Sequence, residues 1–266
     1  MKGNNKYIVI TGASSGIGYE TAKAFSKRNK NLIIVARSKE KLGKLKSEIL
    51  HDNPSLDIII KNVDLSIMPN IHKLYQELGQ YDIETLINDA GFGNYSSVAD
   101  QNLAKIETML QLNIEALVVL STLFVHDYQN IESSQLINIS SAGGYIIVPN
   151  AITYCASKFF VSTFTEGLAR ELKQANAKLR AKVLAPAATR TNFGNVANNI
   201  KNYDYDRCFG TYHTSKQMAD FLLKLYDSDK VVGAVNRESF KFELSDPLFD
   251  YAGNSKHNQN IKELPH

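Results

Sequence analysis

Short β-branched apolar runs alternate with longer segments of helical period along most of this chain. The runs that read as strands fall at residues 7–11, 32–36, 57–63, 85–88, 135–140 and 179–184. The segments of helical period fall at residues 19–29, 39–50, 67–78, 102–128 and 155–174. Parallel strands need long crossover connections, and this order supplies a helix for the crossovers. The pattern therefore predicts a doubly wound α/β fold with a mostly parallel sheet.

Length and composition favour one domain. The chain has 266 residues, 44% of them hydrophobic and 21% charged, which suits a soluble globular unit with a substantial core. After Pro186 the rhythm breaks, so residues 187–230 are interpreted as a substrate loop and helix, with the helix at 215–226. Residues 255–266 are expected to be loosely ordered. We expect residues 1–266 to form a single catalytic domain.

The charge balance and the N-terminus exclude several kinds of partner. Lys and Arg (30) nearly balance Asp and Glu (27), so no strong field would attract nucleic acid. The apolar run at residues 7–10 is too short for a signal sequence or a membrane span. Cys155 and Cys208 are too few for a disulfide framework and lack metal-ligand spacing. We expect a cytoplasmic protein without nucleic-acid, membrane or metal partners.

Three glycines occur where the first strand runs into the first helix. The segment reads Thr-Gly-Ala-Ser-Ser-Gly-Ile-Gly from Thr11. Glycine lets a backbone turn tightly against a phosphate, while the N–H groups and dipole of the helix attract the anion. A tight turn alone would also use glycine. The position after strand one favours a dinucleotide site formed by Gly12, Ser14, Ser15, Gly16, Ile17 and Gly18.

The spacing Gly-x-x-x-Gly-x-Gly resembles that of the short-chain dehydrogenase/reductase family. Other motifs of that family follow in order: Asp64 after strand three, Asn-x-Ala-Gly from Asn88, Asn113 in a long helix, Ser141, and Tyr-x-x-x-Lys from Tyr154. The resemblance implies a Rossmann-type fold and a nicotinamide dinucleotide. It also implies that further cofactor contacts come from Asp64, Leu65, Asn88, Ala90, Gly91, Tyr154, Lys158, Pro186, Thr189 and Thr191.

Tyr154 and Lys158 are the candidate proton-handling pair. Four residues apart on a helix they share one face, and a nearby ammonium favours the phenolate, so we expect Lys158 to bring the pKa of Tyr154 toward neutrality. Tyr154 is then the general acid/base, and Ser141 polarises the substrate carbonyl. The resemblance implies that Lys158 holds the nicotinamide ribose and that Asn113 anchors a water. Read singly, these residues also fit a packed ring, a solvated charge, a strand end and a buried amide.

The residues at the end of strand two indicate which nicotinamide dinucleotide is preferred. NAD-preferring enzymes usually carry an acidic residue there, and this chain has Arg37 followed by Ser38. An Arg can clamp a 2′-phosphate, so the sequence predicts NADP(H) in preference to NAD(H), with Ser38 assisting. The alternative is that Arg37 belongs to a solvated basic face with Lys39, Lys41 and the lysines that follow.

The leading hypothesis is an NADP(H)-dependent oxidoreductase that interconverts a ketone or aldehyde and an alcohol, with reduction the expected direction. A catalytically silent dinucleotide sensor and an oxoacyl-carrier-protein reductase are the alternatives. The pocket lining is expected from residues 143–148, Ile152, Phe193, Tyr203, Tyr205, Phe209 and Tyr212. The aromatic members suggest a bulky carbonyl compound, or else a lid that packs onto the core.

Three positions depart from the family pattern. Asp89 replaces an Asn, Ala187 replaces a Gly, and the family's Asp-Gly-Gly is missing from residues 233–244. The family commonly forms homodimers or homotetramers through the helices at 102–128 and 155–174, and we expect the same here. Apolar positions that fit either that interface or the core are Leu117, Leu120, Phe124, Phe160, Phe164 and Leu168.

Overall fold

The architecture is built on one eight-stranded sheet, seen in a computed structural model that describes residues 6–252. The tail predicted at residues 255–266 lies outside the described residues. The strands of the sheet are β1 (Lys6–Thr11), β2 (Asn31–Ala36), β3 (Ile58–Asn62), β4 (Asp82–Asn88), β5 (Gln135–Ile139), β6 (Arg180–Ala185), β9 (Val232–Val235) and β10 (Phe242–Ser245). A separate pair is formed by β7 (Thr189–Arg190) and β8 (His213–Thr214).

The strand order is β10-β9-β6-β5-β4-β1-β2-β3, and every pairing is parallel except that of β9 with β10. The order 3-2-1-4-5-6 is that of the dinucleotide-binding doubly wound sheet, with its switch point between β1 and β4. The predicted fold class is therefore confirmed. In such a sheet the carboxyl ends of the strands open onto a crevice that takes the ligand.

Helices cover both faces of the sheet. They are α1 (Gly16–Ser26), α2 (Lys39–Asp52), α3 (Met68–Leu78), α4 (Leu103–Leu110), α5 (Leu117–Tyr128), α6 (Ile152–Gln174), α7 (Phe193–Asn198), α8 (Tyr205–Cys208) and α9 (Ser215–Asp227). Ile8 and Ile10 pack with α1, α2 and α9, whereas Val9 packs with α3, α5 and α6. The alternation follows from the period of two along a strand, and it gives two core layers with the sheet between them.

The predicted helix at 102–128 is divided into α4, a π-helical turn at Gln111–Ala116, and α5. The span Leu103–Tyr128 is long and apolar enough to cross a membrane by length and composition. Leu117, Leu120 and Phe124 are nevertheless buried, and all three belong to the core rather than to a free face. That packing is typical of the core helix of a globular domain.

Phe160 and Phe164 on α6 behave differently from those core residues. Their rings stack 5.9 Å apart, and Phe160 keeps 36% of its surface exposed. The homodimer or homotetramer predicted through these helices stays a prediction.

The predicted irregular segment after Pro186 contains short elements that the sequence pattern did not indicate, α7, α8 and the β7–β8 pair. The β9–β10 hairpin was also missed, because each of its strands has only four residues and β9 contains Gly233. It occupies the stretch that departs from the family pattern. Ala187 is not among the residues with positive φ between residues 6 and 252, so its backbone does not need glycine.

Candidate active site

A cavity of about 840 Å³ runs along the carboxyl ends of the central strands. It extends from the N-terminus of α1, past the ends of β2 and β3, to Tyr154 and the residues after β6. The predicted site residues that line it are Gly12, Ser14, Ser15, Gly16, Ile17, Arg37, Ser38, Asp64, Leu65, Ala90, Gly91, Ser141, Tyr154, Lys158, Pro186, Thr189 and Thr191. Gly18, Asn88 and Asn113 are not part of its lining.

The glycine loop forms one end of this cavity. Gly12 (φ +73°) and Gly16 (φ +61°) adopt left-handed backbone conformations, and a Cβ on Gly12 would lie 2.9 Å from the Ala90 nitrogen. Ser15 caps α1 without a side-chain hydrogen bond, and Gly16 and Ile17 line the cavity at the start of that helix. Backbone N–H groups at a helix start attract phosphate. This cradle, continuous with a long cleft, fits a nicotinamide dinucleotide.

Gly18 and Asp89 meet beneath the loop. A Cβ on Gly18 would lie 2.7 Å from Asp89 Oδ2, so α1 reaches β4 only because this residue has no side chain. The Gly18 N–H donates to the Asp89 carboxylate. Burial raises the pKa of Asp89 to about 7, although the positive charge of Lys158 and this hydrogen bond act to lower it. The departure from the family pattern therefore adds a second ionisable group beside Lys158.

The end of β2 presents positive charge to the cavity. Arg37 and Lys41 both line it, and Arg37 Nη1 lies 3.9 Å from Asp64 Oδ2. The Ser38 hydroxyl accepts the Lys41 N–H as the N-cap of α2, so its own proton stays available to a ligand oxygen. Asp64 Oδ1 accepts bonds from Ser66, whose contacts lower the pKa of the carboxyl.

Ser141, Tyr154 and Lys158 come together at the end of β5. Ser141 accepts the Gly143 N–H at 3.1 Å and hydrogen-bonds the Tyr154 side chain. Lys158 Nζ donates to the Ile139 carbonyl at 2.8 Å and lies 6.0 Å from the centre of the Tyr154 ring. α6 thus delivers a phenol and an ammonium to one wall of the cavity, as their i, i+4 spacing predicts.

The expected fall in the pKa of Tyr154 is wrong for this structure. Burial raises the pKa of Tyr154 above its ordinary value, and the Ser141 hydrogen bond offsets only part of that rise. Lys158 is itself buried, and burial lowers its pKa to about 8. Desolvation by burial is the largest cause of the raised pKa of Tyr154. The phenol of Tyr154 is therefore protonated at neutral pH, as the phenol of an ordinary tyrosine also is.

Asn113 and Asn88 are buried behind the cavity wall. The Asn113 amide donates to the Phe92 carbonyl (3.0 Å) and Ser157 Oγ (3.1 Å) and accepts the Phe92 N–H (3.1 Å). The π-helical turn provides this position, and such turns often occur at functional sites. Asn88 donates to Asn138 and Ser121 between β4 and β5. Asn113 thus fixes the backbone of Phe92, whereas Asn88 bonds to buried side chains, and neither residue lines the cavity.

The far half of the cavity is apolar and aromatic. The Tyr154 ring lies 5.4 Å from the Phe193 ring and 6.5 Å from the Tyr95 ring. Of the residues predicted for this pocket, the lining includes Gly143, Val148, Phe193, Tyr203, Tyr205 and Phe209. The lining does not include residues 144–147, Ile152 or Tyr212, which were also predicted for it. Cys155 is a buried residue whose sulfur accepts the Val148 N–H.

The sequence reasoning missed a further set of lining residues. They are Lys41, Phe92, Tyr95, Lys105, Thr108, Arg237 and Phe240. Lys41 could have been found, because it stands one helical turn after Arg37. The others come from α4, the β4 loop and the β9–β10 hairpin, and no spacing within the chain relates those segments to Tyr154. Among residues 6–252 no group of three or more His, Cys, Asp or Glu could hold a metal ion.

Comparisons with known proteins give one consistent result. The family model of short chain dehydrogenases matches residues 6–201. An uncharacterized oxidoreductase of Staphylococcus saprophyticus is 29% identical over 210 residues, which cover 77% of this chain and 83% of that protein.

Two solved structures illustrate the structural similarity. A short-chain dehydrogenase from Sphingobium yanoikuyae in complex with NADPH has a TM-score of 0.77 at 26% identity and covers 88% of this chain and 89% of its own. The bulky-bulky ketone specific alcohol dehydrogenase from Comamonas testosteroni has a TM-score of 0.74 at 27% identity, with 87% and 86% covered. Other matched chains hold NADP or NAD, so the shared fold does not choose between them.

Proposed function

This chain belongs to the short-chain dehydrogenase/reductase family, and from that premise we propose that it is an NADP(H)-dependent oxidoreductase that reduces a bulky ketone or aldehyde to the alcohol. The family assignment makes it an oxidoreductase with a nicotinamide dinucleotide as its cofactor. The choice of phosphate, the substrate class and the roles of individual residues are the proposal. A cytoplasmic location and a homodimeric or homotetrameric assembly belong to the same proposal.

The observation that carries the proposal is one continuous cavity with a phosphate cradle at one end and Ser141, Tyr154 and Lys158 at the other. Gly12 and Gly16 shape the cradle, and the strand order places both ends on the same edge of the sheet. A dinucleotide anchored at the cradle reaches the proton donors only along this edge.

The chemistry of reduction follows from the protonation states. A bound nicotinamide dinucleotide supplies the hydride that attacks the carbonyl carbon. The Ser141 hydroxyl donates a hydrogen bond to the carbonyl oxygen as negative charge develops there. The Tyr154 phenol then gives its proton to that oxygen, which completes the alcohol and leaves a phenolate. The protonated phenol of Tyr154 has the proton that this acid step needs.

Lys158 and Asn113 support this step without donating the substrate proton. The Lys158 ammonium stabilises the phenolate that the transfer leaves, and it can hydrogen-bond the ribose of the dinucleotide. The ammonium also donates to the Ile139 carbonyl, which fixes Lys158 at the end of β5. Asn113 holds the backbone of Phe92, so it keeps the β4 loop in the position that shapes the centre of the cavity.

The preference for NADP(H) rests on Arg37, Ser38 and Lys41 at the end of β2. Two cations and a hydroxyl proton suit a 2′-phosphate, whereas a ribose 2′-hydroxyl would need the acidic acceptor that this position lacks. The 65% exposed side chain of Arg37 remains accessible to a ligand despite the nearby Asp64. A similar structure in complex with NADPH is consistent with this preference.

Steady-state kinetics with both cofactors tests the proposal. We expect the ratio of kcat/KM for NADPH over NADH to exceed one in the wild type and to fall by about 10- to 150-fold in Arg37→Asp, because charge-assisted bonds to the phosphate are lost. Lys44→Asp is the matched control, since Lys44 lies on the same helix outside the cavity. A wild-type preference for NADH, or an Arg37→Asp enzyme that still prefers NADPH, would contradict the cofactor assignment. Binding of dinucleotide without turnover of any carbonyl compound would favour the sensor instead.

A further inference from the structure

Lys105 is a cation on the substrate side of the cavity. It belongs to the first turn of α4 and lines the cavity together with Thr108, one turn further along the helix. The next residue on α4, Ile106, packs in the same buried cluster as Tyr154 and Cys155. Lys105 is thus close to the reacting end of the cavity, whereas Arg37 and Lys41 stand at the dinucleotide end.

The stability of α4 does not explain this lysine. A helix N-terminus carries partial positive charge, so a cation in the first turn is unfavourable there. Within residues 6–252 no carboxylate forms an ion pair with Lys105, and the hydrogen bond that its ammonium makes to the protein goes to the Val196 carbonyl of α7 at 2.9 Å. An ammonium has three donors, so that carbonyl leaves two of them for a ligand.

The surroundings of Lys105 make its charge effective. The acidic residues that line the described cavity are Asp64, which lies beside Arg37, and Asp89, which lies beside Gly18 and Lys158, and neither forms an ion pair with Lys105. Around the substrate half the lining is aromatic or aliphatic, from Phe92, Tyr95, Val148, Phe193 and Tyr205. A charge that faces an apolar wall is weakly screened, and partial burial lowers the pKa of Lys105. A ligand anion would relieve both effects.

We propose that Lys105 is the anion-recognition residue of the substrate site, so that the preferred substrates are carbonyl compounds with an apolar or aromatic body and a carboxylate or similar anionic group remote from the carbonyl. The inference rests on the proposed function and names its substrate class. The carbonyl meets Ser141 and Tyr154, the body lies among the aromatic rings, and the anion meets the ammonium of Lys105 at the mouth of the cavity.

A matched pair of ligands isolates this interaction. The probes are 4-acetylbenzoate and its methyl ester, which share the aryl ketone and differ in charge. Isothermal titration calorimetry of the full-length protein with saturating NADP⁺ gives the two dissociation constants without any need for turnover. We expect the wild type to bind the carboxylate about 10- to 100-fold more tightly than the ester, the range of a charge-assisted hydrogen bond.

The variants separate anion binding from other roles of Lys105. Lys105→Met should abolish the preference for the carboxylate, and Lys105→Arg should keep it. Lys39→Met is the control, because Lys39 also lies in a first helical turn but not in the cavity lining. If Lys105→Met weakens both probes equally, Lys105 only holds α7 in place through Val196, and the proposal is overturned. Equal affinity for the two probes in the wild type, or no binding of either, overturns it as well.

The proposed function has its own readout. NADPH-dependent reduction of the uncharged ester, lost in Tyr154→Phe, would support the oxidoreductase assignment even if the carboxylate preference were absent. Conversely, a carboxylate preference that depends on Lys105, without any reduction, would support the anion site and contradict the reaction.

Discussion

Two lysines are buried among residues 6–252, one at the cavity and one at the opposite end of the sheet. Lys158 is 7% exposed and donates to the Ile139 carbonyl. Lys182 is 1% exposed and donates to three carbonyls at the end of α9, those of Leu225, Tyr226 and Ser228. Burial lowers the pKa of each to about 8. Burial and a shifted pKa therefore do not distinguish a functional lysine from a structural one.

The hydrogen bonds make the distinction. Lys182 uses all three donors on backbone carbonyls at the C-terminal end of α9, so it acts as a C-terminal cap. Lys158 uses one donor on the protein and lines the cavity with the rest of its ammonium. A buried lysine with spare donors at a cavity is ready for a ligand, and a buried lysine without them stabilises the fold.

The largest expected effect is on turnover. Lys158→Met should lower kcat/KM for ketone reduction by about 10²- to 10⁴-fold, because the phenolate formed on Tyr154 loses its neighbouring charge. Lys182→Met should change kcat/KM by less than about threefold, since the catalytic groups stay in place. Initial rates of NADPH oxidation, measured well below the melting temperature of both variants, check this prediction. Comparable losses of kcat/KM in the two variants would contradict the distinction between a functional Lys158 and a structural Lys182.

The second effect is on stability, and here we expect the substitution of Lys182 to have the larger effect. Lys182→Met leaves the carbonyls of Tyr226 and Ser228 without a donor, whereas the Leu225 carbonyl still accepts from Ser228. The free energy of unfolding should therefore fall by about 2 kcal/mol, and by more than in Lys158→Met, which frees one carbonyl. Urea denaturation followed by circular dichroism measures both values. Lys216→Met on the exposed side of α9 is the control, with an expected change within about 0.5 kcal/mol. A larger fall in the free energy of unfolding in Lys158→Met than in Lys182→Met would contradict the assignment of Lys182 as the helix cap.

The smallest effect concerns Asp89, a carboxylate close to only one of the two lysines. Its pKa is raised to about 7 in the folded protein, so between about pH 4 and pH 7 the unfolded chain has lost a proton that the native state keeps. The native state binds more protons in that window, and stability falls as pH rises through it. Asp89→Asn removes this penalty, so the variant should gain about 1 kcal/mol relative to wild type at pH 8 compared with pH 6.

Urea unfolding at the two pH values tests this sign, with Asp100→Asn as a control on an exposed turn. A relative gain at pH 6 instead of pH 8 would mean that Lys158 holds Asp89 ionised and that the pKa of Asp89 is not raised. The same variant should leave the stability contribution of Lys182 unchanged, because the groups that act on that lysine are Arg180, Asp227 and Asp229.

The sequence predicted what depends on local pattern. Strand period, glycine position and the i, i+4 spacing of Tyr154 and Lys158 are properties of short segments, and the structure places Ser141, Tyr154 and Arg37 on one cavity. The β9–β10 hairpin was not predicted, because strands this short carry little periodic signal.

What the sequence could not supply is orientation and burial. Asn113 stands at the motif position, yet its amide is used by the Phe92 backbone, a fact that depends on a π-helical turn. The pKa of Tyr154 was expected to fall and instead rises, because the desolvation of a ring is set by residues far along the chain. Lys105 was missed for the same reason, since α4 meets the pocket only through tertiary packing.

The central claim is that Tyr154 protonates a carbonyl oxygen while a hydride reaches the carbonyl carbon. In the most direct measurement, the full-length protein is incubated with methyl 4-acetylbenzoate and with NADPH that carries deuterium at the transferable position. The alcohol product is analysed by mass spectrometry. We predict an alcohol with one deuterium on the carbinol carbon in the wild type, and a rate at least about 10²-fold lower in Tyr154→Phe. An unlabelled product, no product from any ketone in a panel, or an undiminished rate in Tyr154→Phe would contradict the account.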